Sequence, residues 1–186
     1  MDRFMIHLKN SAYIPSDSHD LLLRARKIAS DMHITIRDMR VSSRYLEFDV
    51  SIEKERLDQL IKKLAPIGPL DHAKHVIEEH IGKEEAIEKG IDYFNYERFW
   101  ECHEVLEGAW KKSEGKEKEL IQGIILVAAA LVHYQKNEND ICLSIFRRAL
   151  EKIGTAKGKY NKIDVDALRN QVSSMLRTEI LETFTI

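Results

Sequence analysis

Cysteine is scarce in this chain. The only two, Cys102 and Cys142, lie far apart, which excludes both a disulfide framework and a zinc-ligand spacing. Three prolines and eight glycines among 186 residues exclude collagen-like and low-complexity architectures and favour long helices. Charge of one sign is lacking too. The 29 Lys and Arg against 31 Asp and Glu leave a net charge of −2, without the basic excess of a general nucleic-acid or membrane-surface binder. Ile124 to Val132 is a run of nine apolar residues, well short of the ~20 that span a bilayer. The charged start at Met1-Asp2-Arg3 has no apolar signal core. Together these absences predict a cytoplasmic protein with reduced thiols. What is present, 44% hydrophobic and 32% charged residues, suffices for one medium domain or two small ones.

The first seventy residues change period repeatedly, as mixed α and β structure does. Phe4-Met5-Ile6-His7-Leu8 reads as a strand, closed by the turn and cap residues Pro15-Ser16-Asp17-Ser18. Over 20–32, Leu21, Leu22, Ala25, Ile28, Ala29 and Met32 recur at helical spacing. Segments 34–37 and 44–50 alternate apolar with polar, predicting two strands of a hairpin, each with one wet face. Ile34 and Ile36 are even-numbered whereas Met39 and Val41 are odd, so the inward set changes parity near Asp38, as at a bulge. Leu57, Leu60, Ile61 and Leu64 predict a second helix, and Ile67-Gly68-Pro69-Leu70 a last edge strand. This strand-helix-strand-strand-helix-strand order predicts a ferredoxin-like α+β domain over 1–70.

From Asp71 onward the periodicity is helical, predicting an all-α bundle over 71–186 with helices near 71–80, 84–95, 96–112, 117–136, 140–157 and 164–181. The apolar run in 124–132 marks the core helix. Gly123, Ala128, Ala129 and Ala130 would let another helix approach it closely or leave a narrow cavity. The polar link 111–116 makes its two flanking helices antiparallel neighbours.

Wound at 100° per residue, the segment 96–112 places Tyr96, Phe99, Trp100, His103, Leu106, Glu107 and Trp110 within one third of the circumference. Glu97, Glu101 and Glu104 fall on a face that reads as solvated. His103 and Glu107, at i,i+4 on an apolar face between two tryptophans, would be costly to bury unpaired. On the next helix Glu119, Gln122, Leu126, Ala129 and His133 form one stripe, and folding about the link brings Gln122 level with Glu107. Metal binding is disfavoured because only two good ligands converge, and a Glu stands where zinc proteases place the final His of their His-Glu-x-x-His motif. Two further clusters read as surface: His72, His75, Glu79 and His80 on a solvated linker helix, and Arg37, Arg40 and Arg44 around the hairpin, an RNA-contacting surface opposed by Glu47 and Asp49 on the same face.

The run Tyr93-Phe94-Asn95-Tyr96-Glu97-Arg98-Phe99-Trp100-Glu101-Cys102-His103-Glu104-Val105-Leu106-Glu107-Gly108-Ala109-Trp110, followed by Gln122-Gly123-Ile124 and His133, resembles the helical domain-of-unknown-function family 309 over roughly residues 84–176. The resemblance implies an all-helical bundle and carries the family motif onto His103, Glu104, Glu107, Trp110, Gln122, Gly123 and His133. Where the family has a Gly-Asn pair after His133, this chain has Asn137-Glu138. The family brings no established activity.

Two functional readings follow. In one, a His103–Glu107–Gln122 network, with Trp100, Glu104, Trp110 and His133 around it, serves a small-ligand-binding or scaffold module for a small polar ligand or a protein partner. In the other, the protein is an enzyme, such as a hydrolase, in which His103 is general acid or base, Glu107 orients it, and Gln122 positions a substrate oxygen. Neither calls for a cofactor or metal. Membrane association is excluded and nucleic acid disfavoured in both, and oligomer formation is left open.

Overall fold

The computed structural model describes residues 1–77 and 80–186. The fold is α+β: an antiparallel four-stranded sheet with helices, then a helical region. By their internal contacts the residues fall into two compact units, 1–78 with 135–137, and 79–134 with 138–186. Among the described residues no helix is long and apolar enough to cross a membrane.

In the first unit β1 (Asp2–Lys9), α1 (Ser18–Ile28), β2 (Thr35–Val41), β3 (Tyr45–Ile52), α2 (Leu57–Leu64) and β4 (Leu70–His75) follow one another in the expected order. The sheet order is β2-β3-β1-β4, with every neighbouring pair antiparallel. One face carries Phe4, Ile6, Leu8, Leu46, Phe48 and Val50 into a core with Leu21 and Ala25 of α1 and Leu60 and Leu64 of α2. The parity change near Asp38 is a register shift between Ile36 and Asp38: Ile36 pairs with Val50, whereas Asp38 pairs with the adjacent Asp49. The extra residue returns Met39 and Val41 to the apolar core.

Two expectations for this region need correction. The last strand is not 67–70 but Leu70–His75, so the segment expected to start a helix over 71–80 is an edge strand. Its histidines are engaged: His72 accompanies Asp71 at 2.7 Å and stacks on His7 at 4.2 Å, and His75 stacks on Phe4 at 4.8 Å. Glu79, expected among them, lies outside the described residues. The second correction concerns the other sheet face, where Glu47 and Asp49 are buried instead of wet. Burial there is met by pairing within the face. Arg3 holds Asp49 through two hydrogen bonds of 2.9 and 2.6 Å, and Glu47 takes Arg40 Nε on one carboxylate oxygen and His7 Nε2, at 2.8 Å, on the other. Arg40 is only 2% exposed and so is withdrawn from the expected surface cluster, of which Arg37 and Arg44 remain exposed.

The second unit is built from α3 (Lys83–Asn95), α4 (Phe99–Lys111), α5 (Gly115–Tyr134), α6 (Asn139–Ile153) and α7 (Val165–Thr178). A short hairpin, β5 (Lys159–Tyr160) with β6 (Ile163–Asp164), precedes α7 in the link between two expected helices, where no strand was expected. Glycine sets two of the closest approaches. A Cβ at Gly90 would lie 2.6 Å from Leu106, and one at Gly123 would lie 2.6 Å from Ile153 Cγ1 and 3.0 Å from its backbone nitrogen. Asn137, standing near the family's glycine position, takes a left-handed conformation (φ 62°) that asparagine tolerates better than most residues. Glu117 in the first turn of α5 accepts from Lys83 and from the Tyr160 hydroxyl, tying α3 and the hairpin to it. At the C-terminal end Phe184 packs on Phe94, and Ile186 exchanges backbone hydrogen bonds with the Asn95 amide.

Candidate functional site

Phe99, Cys102, Leu106 and Ala109 recur at i, i+3, i+7 and i+10 and form the buried seam of α4. That seam lies to one side of the arc read from the sequence. Trp100, His103, Glu107 and Trp110 therefore occupy its rim and are half-buried. The misreading has a physical origin: two tryptophans drew the expected apolar centre toward themselves, while the small Cys102 and Ala109, which allow close helix approach, carried little weight. Glu101, assigned to a solvated face, is buried and held by Arg98 through hydrogen bonds of 2.5 and 2.6 Å.

His103 is not in the core with Glu107. Its side chain is 28% exposed and that of Glu107 45%, and Nε2 lies 3.6 Å from Glu107 Oε1, an ion-pair contact too long for a good hydrogen bond. On the other ring nitrogen, Nδ1 lies 3.3 Å from Glu104 Oε1. The imidazole thus sits between two carboxylates of its own helix, in reach of solvent.

On α5, Gln122, Leu126, Ala129 and His133 are likewise half-buried and follow one another at i, i+4, i+7 and i+11. This is the stripe expected from the sequence, displaced from core to rim as on α4. The expected pairing of Gln122 with His103 and Glu107 does not form as a hydrogen bond among the described residues. His133 pairs instead with Glu138. The register of the two helices agrees with folding about the link: the Lys118 ammonium lies 4.3 Å over the ring of Trp110, one residue from the alignment that sets Gln122 level with Glu107.

Where α4 and α5 meet α6, the rims open into a cavity of about 250 Å³. Trp110 forms its α4 wall, and Gln122 and Leu126 supply α5. Lys118 and Glu119 of α5 and Arg148, Glu151 and Lys152 of α6 carry the charge. His103 and Glu107 do not line it. The α6 residues were missed by sequence reasoning, although Arg148 and Lys152 at i,i+4 share a polar face of α6 beside the buried series Cys142, Phe146, Ala149 and Ile153.

No curated protein matches the chain. A solved structure, that of a conserved hypothetical protein from Thermus thermophilus, is 30% identical in sequence over 48% of this chain and 94% of that one, with a TM-score of 0.43. Residues 87–145, which contain α4, α5 and both rim stripes, match the family model described as Domain of unknown function (DUF309). This helical segment is therefore similar to the DUF309 family, over the stretch that carries the sequence motif.

Proposed function

We propose that the helical unit is a small-ligand-binding module whose site is the cavity bounded by Trp110, Gln122 and Leu126. The cavity itself carries the reading. It sets one indole and one leucine among a side-chain amide and five charged side chains, a lining more polar than that of most ligand sites and suited to a charged or polar ligand. At about 250 Å³ it suits a small metabolite better than a drug-sized molecule. The thiols of Cys102 and Cys142, both unbridged, fit a cytoplasmic setting.

The test is a thermal-shift screen of the full chain against a panel of small charged and neutral metabolites. A compound that raises Tm in the parent chain and fails to do so in Gln122→Ala supports the module. Shifts that persist unchanged in both Gln122→Ala and Trp110→Phe would place any binding elsewhere.

A second reading, an enzyme with His103 as general acid or base, draws on the solvent-reachable imidazole between Glu104 and Glu107. A hydrolase panel separates the two readings: turnover abolished in His103→Gln supports catalysis. A protein partner seated on the rims would instead compete with the small ligand.

A further inference from the structure

Three cations and two carboxylates line the cavity, and their pairing is uneven. Lys152 is spoken for, its ammonium lying 2.8 Å from Glu119 Oε2. Lys118 rests on the Trp110 ring and has no carboxylate partner among the described residues. The Arg148 side chain makes no hydrogen bond or ion pair among the described residues. Glu151 is the remaining charge. With Glu119 neutralised by Lys152, Lys118 and Arg148 together outweigh Glu151, so the wall has a surplus positive charge.

We infer that the cavity binds a small organic anion, its carboxylate or phosphate held by Arg148 and Lys118 and its apolar body laid against Trp110 and Leu126. The inference rests on the reading of this cavity as a ligand site and adds the class of ligand. Arginine suits the role because its planar fork offers two parallel N–H donors to a carboxylate or phosphate. The two cations come from different helices, α5 and α6, so an anion between them is gripped from two sides. Lys118, placed over the indole, has exchanged part of its hydration for the ring face, which lessens the desolvation needed to meet an oxyanion. A cation entering the same space would face that surplus of positive charge with only Glu151 to receive it.

The experiment is isothermal titration of the full chain with phenyl phosphate, benzoate, inorganic phosphate, benzyl alcohol and benzylamine at fixed ionic strength. Saturable binding of phenyl phosphate or benzoate, with benzyl alcohol and benzylamine much weaker, is the expected result. The better of the two aromatic anions identifies the oxyanion, and inorganic phosphate reports how much of the affinity needs the apolar body. Arg148→Gln and Lys118→Gln should each weaken the anion by about tenfold. Glu151→Gln should strengthen it, a gain that a merely structural role would not produce. Saturable binding of benzylamine or benzyl alcohol in preference to both anions would overturn the anion assignment while leaving a ligand cavity in place. Anion binding unchanged in both Arg148→Gln and Lys118→Gln would overturn it as well. Absence of saturable binding by any probe up to about 10 mM, a concentration at which even millimolar ligands register, would overturn the assignment and the cavity reading together.

Discussion

Gly123 of α5 and Ile153 of α6 are packed so closely that a single added carbon at 123 would stand 2.6 Å from the isoleucine side chain and 3.2 Å from the carbonyl of Ala149. Gly108 of α4 has nothing within 4 Å of the same added atom. The two glycines should therefore respond oppositely to alanine. Gly123→Ala forces α5 and α6 apart and is expected to cost about 1–3 kcal/mol. Gly108→Ala, in an unobstructed helix interior, is expected to gain about 0.5–1 kcal/mol. Urea unfolding of both variants gives the comparison, and equal signs would contradict this packing.

His103 and Glu107 make the second expectation. A half-exposed i,i+4 pair contributes only about 0.3–0.5 kcal/mol, so Glu107→Ala and Glu104→Ala should both lie within about 0.5 kcal/mol of the parent chain in urea unfolding. A loss of several kcal/mol confined to Glu107→Ala would mean that the pair is buried after all.

What the sequence made legible followed from periodicity. Alternation located β2 and β3, the change of parity placed the bulge at Asp38, and helical spacing found α1 to α7 to within a few residues. The small residue Gly123 allowed either a close helix approach or a narrow cavity, and the structure sets α6 against it. The misreadings share a different cause. The strand β4 reads Leu-Asp-His-Ala-Lys-His and has no alternation because, at a sheet edge, neither of its faces must be wholly apolar. Arg40, Glu47 and His7 are buried by pairing among themselves and Glu101 by pairing with Arg98, and a residue-by-residue polarity scale reports no partner, whether it stands three positions away or forty. Of the residues singled out in the sequence, Trp110 and Gln122 line the cavity, whereas His103 and Glu107 lie on the rim outside it. Shifting the centre of the α4 seam by a fraction of a turn converts a buried network into a solvent-lined rim.

Glu47 sets the acid response. Burial alone would raise its pKa, but the Arg40 guanidinium and the His7 imidazole outweigh burial and hold it at about 2, below its ordinary 4.5. A carboxyl depressed in the folded state adds stability that is fully present above its unfolded pKa and is lost as pH falls toward the folded one. The parent chain should therefore lose stability progressively from about pH 4.5 down to about pH 2, and Glu47→Gln should lose less over the same interval. At neutral pH Glu47→Ala, which removes the carboxylate shared by buried Arg40 and His7 and leaves Arg40 with Asp38 at 3.5 Å, should cost roughly 3–5 kcal/mol. Identical acid profiles for the parent chain and Glu47→Gln in circular dichroism would contradict the network.

The helical unit is proposed to fold by itself, since its core from Ala86 to Met175 draws on α3 to α7. A fragment beginning at His80 should be soluble and melt cooperatively. Aggregation, or a melt without a transition, would show that the first unit is needed.

The central claim, a ligand cavity against Trp110, is tested most directly by the two tryptophan indole N–H signals in a ¹H–¹⁵N spectrum of the full chain titrated with phenyl phosphate. Trp100 lies ten residues, about 15 Å of helix, from Trp110. The expected result is a saturable shift of the Trp110 signal, with Trp100 nearly unmoved and the shift lost in Arg148→Gln. A stationary Trp110 signal at full saturation of the protein, or equal movement of both signals that survives in Arg148→Gln, would contradict the account.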